Sequence, residues 1–185
     1  MVEANAASCS KTQSLTEGPY YSTDTPERSN IIDNQIGTTT KLTLTLVDTK
    51  CLPLSGVRVD IWHANAAGEY SAIRGNSDNF LRGTQITNSS GQVTFTTIYP
   101  GWYPGRPMHI HFKVLKNGKE LLTSQFFASD AINTKIYATG EYAARGNQNT
   151  KLNSDRIYQS ISTPNSLTLK VKVSKNISAS GKIVV

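Results

Sequence analysis

Lys41-Leu-Thr-Leu-Thr-Leu-Val47 alternates polar and apolar residues. Successive side chains of a β-strand point to opposite faces, so this period of two puts Leu42, Leu44 and Leu46 on a core and Lys41, Thr43 and Thr45 toward water. Outward from this stretch, strand-like runs recur at 57–62, 92–99, 108–115, 121–127 and 167–173, separated by Gly, Pro, Asn and Asp. Six or more short strands predict an all-β sandwich. Only 130–144 reads as helical, and Gly140 interrupts it, so at most one short helix is expected. Residues 1–40 are polar and irregular and are expected to wrap the outside of a sandwich formed by 41–185, all within one domain.

The bulk properties narrow the function classes. Hydrophobic residues make up 37% of the 185, mean hydropathy is −0.35, and Thr, Ser and Asn supply much of the remainder. The net charge of +6 is scattered. Its densest part, Lys170, Lys172 and Lys175 beside Leu169, Val171 and Val173, reads as a solvated strand face, so no nucleic-acid partner is expected. No apolar run approaches the roughly 20 residues of a membrane span. The start, MVEANAAS, lacks the basic and apolar regions of a secretory leader, so any signal peptide is expected to be absent from this sequence. Cys9 and Cys51 lack the CxxC spacing of a zinc ribbon or redox pair, which leaves a disulfide or two buried thiols. Asn88-Ser-Ser90 and Asn176-Ile-Ser178 match the N-glycosylation acceptor pattern. With the surface composition, these features predict a secreted protein.

The residues that carry chemistry concentrate between 60 and 111. In Met108-His-Ile-His-Phe-Lys-Val114, strand geometry places Met108, Ile110, Phe112 and Val114 on one face and His109, His111 and Lys113 on the other. Two imidazoles at i, i+2 on a non-core face sit about 7 Å apart at the backbone, close enough to converge on one ion. An HxH pair alone is shared by zinc, copper and iron sites and by ordinary strands. Just upstream, Tyr99-Pro-Gly-Trp-Tyr-Pro-Gly-Arg-Pro107 is a loop stiffened by proline, able to hold Tyr103 in one pose or simply to cap the surface with aromatic rings. Val59-Asp-Ile-Trp-His-Ala-Asn-Ala-Ala-Gly-Glu-Tyr-Ser71 is a strand entering a loop that ends at Tyr70. His63 within it reads as a strand-end histidine outside any first ligand shell.

This last segment resembles the D-I-W-x-x-x-x-x-G-x-Y-S motif of intradiol ring-cleavage dioxygenases, the family of catechol 1,2- and protocatechuate 3,4-dioxygenases. Phe80-Leu-Arg-Gly-Thr-Gln-Ile-Thr87, Gly91-Gln-Val-Thr-Phe-Thr-Thr-Ile98, Pro100-Gly-Trp-Tyr103 and Arg106-Pro-Met-His-Ile-His111 are similar to further blocks of that family, in the same order. So are Thr16-Glu-Gly-Pro-Tyr-Tyr21 and Leu122-Thr-Ser-Gln-Phe-Phe127. The resemblance implies a transthyretin-like β-sandwich and one non-haem iron(III), with Tyr70 and His109 as equatorial ligands, Tyr103 and His111 as axial ones, and a solvent hydroxide completing the set. Phenolate oxygen is hard and anionic, which suits a trivalent ion better than zinc.

The implied partners are catechols and O₂, with Tyr103 doubling as a base toward the catechol and Arg106 stabilising negative charge on it. Gln125 is implied to hydrogen-bond near Arg106, and Gly18, Pro19 and Tyr20 to line the substrate mouth. The chain lacks room for the helical dimerisation region of the cytoplasmic catechol enzymes and itself carries both the T-E-G-P-Y segment and the ligands. It is therefore similar to the short extracellular branch, and a monomer is implied. In that branch a cysteine commonly stands where this chain has Ala64, which leaves Cys9 and Cys51 to pair with each other. The alternatives are a non-catalytic binding module of the same sandwich type and a pseudoenzyme that keeps the fold.

Overall fold

The computed structural model describes residues 8–73 and 78–185. Its eight strands are β1 (Thr39–Val47), β2 (Arg58–Trp62), β3 (Arg82–Ile86), β4 (Gln92–Ile98), β5 (His109–Lys116), β6 (Lys119–Phe127), β7 (Lys170–Val173) and β8 (Ile177–Val184). They form two four-stranded sheets, in the orders β4-β1-β8-β7 and β3-β2-β5-β6. All neighbours are antiparallel except β1 and β8. The main core lies between the sheets, where Leu42, Leu44 and Leu46 of β1 meet the apolar face of β5, Ile110, Phe112 and Val114. The alternation at 41–47 therefore reads as it folds.

Two strands were not legible in the sequence. β3, Arg82-Gly-Thr-Gln-Ile86, has one apolar residue at its end, and β8, Ile177-Ser-Ala-Ser-Gly-Lys-Ile-Val184, is small and polar in the middle. Both form because neighbouring strands satisfy their backbones, and β8 lies between β1 and β7. Gly181 of β8 lies under the Phe126 ring, where a β-carbon would overlap. The strand expected at 167–173 begins only at Lys170, because Pro164–Leu167 forms a 3₁₀ turn.

The expected helix is α1 (Asp130–Tyr137), with Ser129 as its N-cap accepting from the Ile132 N–H. A single further turn, α2 (Arg156–Gln159), is capped by Asp155, whose carboxylate accepts from the Ile157 and Tyr158 N–H groups. Three tyrosines fasten the α1 region to the strand end that leads into the Tyr103 loop. Tyr99 donates to Asn133 Oδ1 at 2.6 Å, Tyr137 to Pro100 O at 2.8 Å and Tyr142 to Tyr99 O at 2.6 Å.

The polar N-terminal segment does more than wrap the outside, because Ile31 is fully buried in the main core and Leu15 nearly so. Its path follows the sheets through main-chain bonds from Thr12 to Val184, Leu15 to Thr123 and Arg28 to Thr84. A disulfide joins Cys9 to Cys51. The outer face of the β3-β2-β5-β6 sheet is covered by residues 16–21, which explains why every residue from His109 to Val114 is buried. There Lys113 donates to Glu17 and to Glu120, and Tyr21 donates to the buried Asp60. Under this strap lies a second apolar cluster of Trp62, Ala64 and Tyr70, flanked by Tyr20, Tyr21, Ile73 and Tyr103.

Candidate metal centre

The second cluster surrounds the histidines of β5. His109 and His111 project from the outer face as their alternation requires, and both are nearly inaccessible. The Nδ1 of His109 lies 2.7 Å from Pro107 O. A carbonyl can only accept, so Nδ1 carries the proton and Nε2 presents a lone pair to the site. Onto that one nitrogen converge the Tyr70 hydroxyl at 3.1 Å and the Tyr103 hydroxyl at 3.2 Å. His111 stacks on Trp62, with ring centroids 4.9 Å apart and planes 11° apart, and its buried Nδ1 has no hydrogen-bond partner. His109 and His111 meet edge to face at 4.9 Å.

Two loops carry the tyrosines, and glycine lets them touch. Gly68 packs where a β-carbon would overlap Trp102 O, and Gly101 where one would overlap Ala66 O and Asn65 O. Asn65 organises the first loop, its Oδ1 accepting from the Ala67 and Glu69 N–H groups while its carbonyl accepts from Gly101 N. Arg145, which the sequence did not single out, donates to Ala66 O and Trp102 O at 2.9 Å each and joins the loops from behind.

Burial sets the electrostatics. It depresses His109 to a pKa of about 3, with Arg106 adding to the effect, and lowers His111 well below its ordinary value, with His109 adding. Both imidazoles stay neutral and keep their lone pairs. Burial also raises Tyr70 well above 10, with Tyr103 adding, and raises Tyr103. Without a strong cation both phenols stay protonated, whereas a trivalent ion would replace the protons. Among the described residues no three His, Cys, Asp or Glu side chains cluster as a metal cage. The donors gathered here are two imidazoles and two phenols.

Arg106 stands beside this cluster and is not a free surface charge. Its Nε pairs with the buried Asp155 at 2.7 Å, and its Nη2 donates to Gln125 Oε1 at 2.6 Å. Gln125 in turn donates from Nε2 to Thr16 O at 2.8 Å, linking Arg106 to the strap. Asp155 lies outside every motif, and only its place before Arg156-Ile-Tyr-Gln159, as a helix cap, could have drawn attention to it. A cleft of about 550 Å³ opens beside Tyr70 and Tyr103, walled by Tyr20 and Phe80 with Gln35 and Asn65 at its polar rim. Of the residues expected at the mouth, Tyr20 lines this cleft, its ring 4.6 Å from that of Tyr70. Pro19 is exposed and Gly18 rests near the His111 ring, and the lining of this cleft includes neither. His63 has both nitrogens occupied, Nδ1 by Ala64 O at 2.8 Å and Nε2 by the Thr97 hydroxyl at 2.7 Å.

A family model described as a dioxygenase matches residues 16–153, a span that holds all four donors. The chain belongs to the intradiol ring-cleavage dioxygenase family. It is 30% identical to a catechol 1,2-dioxygenase of Candida albicans over 155 residues, covering 69% of this chain and 51% of that one. A hydroxyquinol 1,2-dioxygenase of a Rhizobium species is 29% identical, covering 64% of this chain and 48% of that one. The chain thus spans about half the length of the curated relatives it matches. Among solved structures, an intradiol ring-cleavage dioxygenase from Tetranychus urticae superposes with a TM-score of 0.90 at 30% identity, covering 95% of this chain and 94% of that one. The 3-chlorocatechol 1,2-dioxygenase of Rhodococcus opacus gives 0.71 at 27% identity, over 94% of this chain and 71% of that one. This intradiol family implies a non-haem iron, and the donor set fits one: two neutral imidazoles, two phenols able to become anionic, and an orphaned buried nitrogen on His111.

Proposed function

We propose that this chain opens catechol rings with O₂ between the two oxygen-bearing carbons, giving cis,cis-muconate-type products, at one iron(III) held by Tyr70, Tyr103, His109 and His111. The observation that carries the reading is the meeting of two phenols on one imidazole nitrogen, buried, at the wall of an aromatic cleft. Iron(III) bound there would draw electron density from a chelated catecholate and make its ring open to O₂.

The protein's own groups have distinct tasks. Tyr70 is buried, while Tyr103 is half-buried on the cleft side, so Tyr103 is the phenol free to swing out and accept a substrate proton at its oxygen. His109 is held in one tautomer by Pro107 O and does not exchange protons at working pH. Arg106, fixed by Asp155 and Gln125, keeps a positive charge beside Tyr103 where negative charge develops on the substrate.

The Cys9–Cys51 disulfide suits an oxidising compartment, and Asn88 and Asn176 are exposed in the turns before β4 and β8. These support secretion, and a single chain that carries both strap and ligands supports a monomer.

Iron reconstitution followed by metal analysis, a visible spectrum and O₂ uptake with catechol tests the reading. One iron per chain, a red tyrosinate-to-iron(III) band and a muconate product are expected. A protein that stays colourless and iron-free, or that yields a yellow semialdehyde, would overturn it.

A further inference from the structure

Arg82 opens β3 as a fully buried guanidinium, 1% exposed. Its Nε donates to Ser71 Oγ at 2.8 Å, its Nη2 to Ser71 O at 2.7 Å and its Nη1 to Tyr20 O at 2.5 Å. All three acceptors are uncharged, and among the described residues no carboxylate lies within ion-pair distance of it. Burying a cation without a counter-charge is strongly unfavourable unless hydrogen bonds replace its water. An apolar side chain would fill the space more cheaply. What a guanidinium supplies instead is a rigid planar fork that can hold acceptors from two segments at once.

The two segments here are functional neighbours. Ser71 follows Tyr70, and Tyr20 is the strap residue whose ring lies on that of Tyr70, with both rings walling the cleft. Strand register explains how Arg82 reaches them. Arg82 pairs across the sheet with Trp62, Trp62 with His111, and His111 with Gln125, so the four residues form one row on the site face. The strap runs along this row. Thr16 is held by Gln125, Gly18 rests near His111, and Tyr20 is held by Arg82.

We propose that Arg82 is a positioning residue. By fixing the Tyr20 main chain against the Tyr70–Ser71 main chain, it sets the gap in which an aromatic substrate is received beside Tyr70. This rests on the catechol reading of the cleft. Its effect falls on substrate affinity more than on the chemical step, because Arg82 bonds Ser71 and the Tyr20 main chain and none of the four donor atoms.

Three variants test it: Arg82→Lys keeps the charge but loses the fork, Arg82→Met loses both, and Ser71→Ala removes one acceptor. Two measurements are made. Hydrogen exchange of the iron-free protein is followed in peptides covering 16–22 and 68–73. Steady-state kinetics and the tyrosinate band are followed in the iron-loaded protein. In both Arg82 variants those peptides should exchange about 10-fold faster than in wild type, and KM for catechol should rise about 10-fold with a smaller fall in kcat. The iron content should be retained and the band shifted. Ser71→Ala should move each quantity the same way by about 3-fold, and it decides the matter if the Arg82 variants do not fold.

Unchanged exchange and KM in Ser71→Ala would overturn the proposal. So would wild-type behaviour in Arg82→Lys, since charge alone would then suffice. If the wild-type protein itself binds no iron and consumes no O₂, the catechol reading and the effect on affinity fall together. In that event the exchange experiment still decides whether Arg82 fixes the strap.

Discussion

All three histidines of the chain are buried, and their partners separate their roles. His63 is satisfied on both nitrogens and lies between β2 and Thr97 of β4, so it ties one sheet to the other. Burial lowers its pKa to about 4. The unfolded value is about 6.5, so between these values unfolding takes up a proton at His63. Its contribution is fully present above pH 6.5 and is lost as pH falls toward 4, by about 3 kcal/mol in all. The iron-free protein should therefore lose stability to urea between pH 7 and 4.5, and His63→Gln should show a shallower loss by one proton. Equal slopes in the two proteins would mean that His63 is charged in the fold. The sequence made His109 and His111 legible through strand period alone, and the tyrosines through motif. Asp155 and Arg145 were not legible, and Arg82 stood in the 80–87 block without its task being legible, because each acts on an atom distant in the chain and no local pattern marks such a contact.

At the scale of elements, the glycines of two motifs acquire a physical cause. The spacing Gly68-Glu-Tyr70 and the run Pro100-Gly-Trp-Tyr103 each place a glycine where one tyrosine-bearing loop presses on the other's backbone. Gly101 has no positive φ, so its requirement is space alone, and a methyl group there must push the 65–66 carbonyls away. Gly101→Ala should thus separate Tyr103 from Tyr70 without affecting either strand sheet. The expected result is a fold with β-sheet circular dichroism unchanged, lowered iron content and a loss of about 100-fold in kcat/KM, the scale that follows from misplacing reacting groups by about 1 Å. Full iron content and activity in Gly101→Ala would show that the loops can part without consequence. The strands that period revealed, β1, β2, β4, β5, β6 and the shortened β7, each have a face in or against the main core. Of those it missed, β3 has a single apolar residue and owes its conformation to its neighbours, while β8 also faces the main core through Ile177, Ala179 and Ile183 but is too small and polar in its middle for the pattern to stand out.

For the whole molecule, the question is what keeps a polar, irregular N-terminal segment in place over the site. Near the centre the anchors are local: Lys113 on Glu17, Gln125 on Thr16 and Arg82 on Tyr20. The Cys9–Cys51 bridge lies further back, spanning 42 positions between the start of the segment and the turn after β1. A cross-link of that span restricts the unfolded chain, and the entropy of closing such a loop corresponds to about 3–4 kcal/mol. The two kinds of anchor should separate in experiment. Replacing both cysteines by serine should lower the unfolding free energy by about that amount, measured by denaturant titration with and without reductant. Iron content should be unchanged, and exchange in 16–22 should remain slow, because the local anchors persist in the folded state. Equal stability of oxidised and reduced protein would show that the bridge contributes nothing. Fast exchange at 16–22 in the serine variant would instead mean that the strap depends on the bridge, and that the row from Gln125 to Arg82 is not sufficient to hold it.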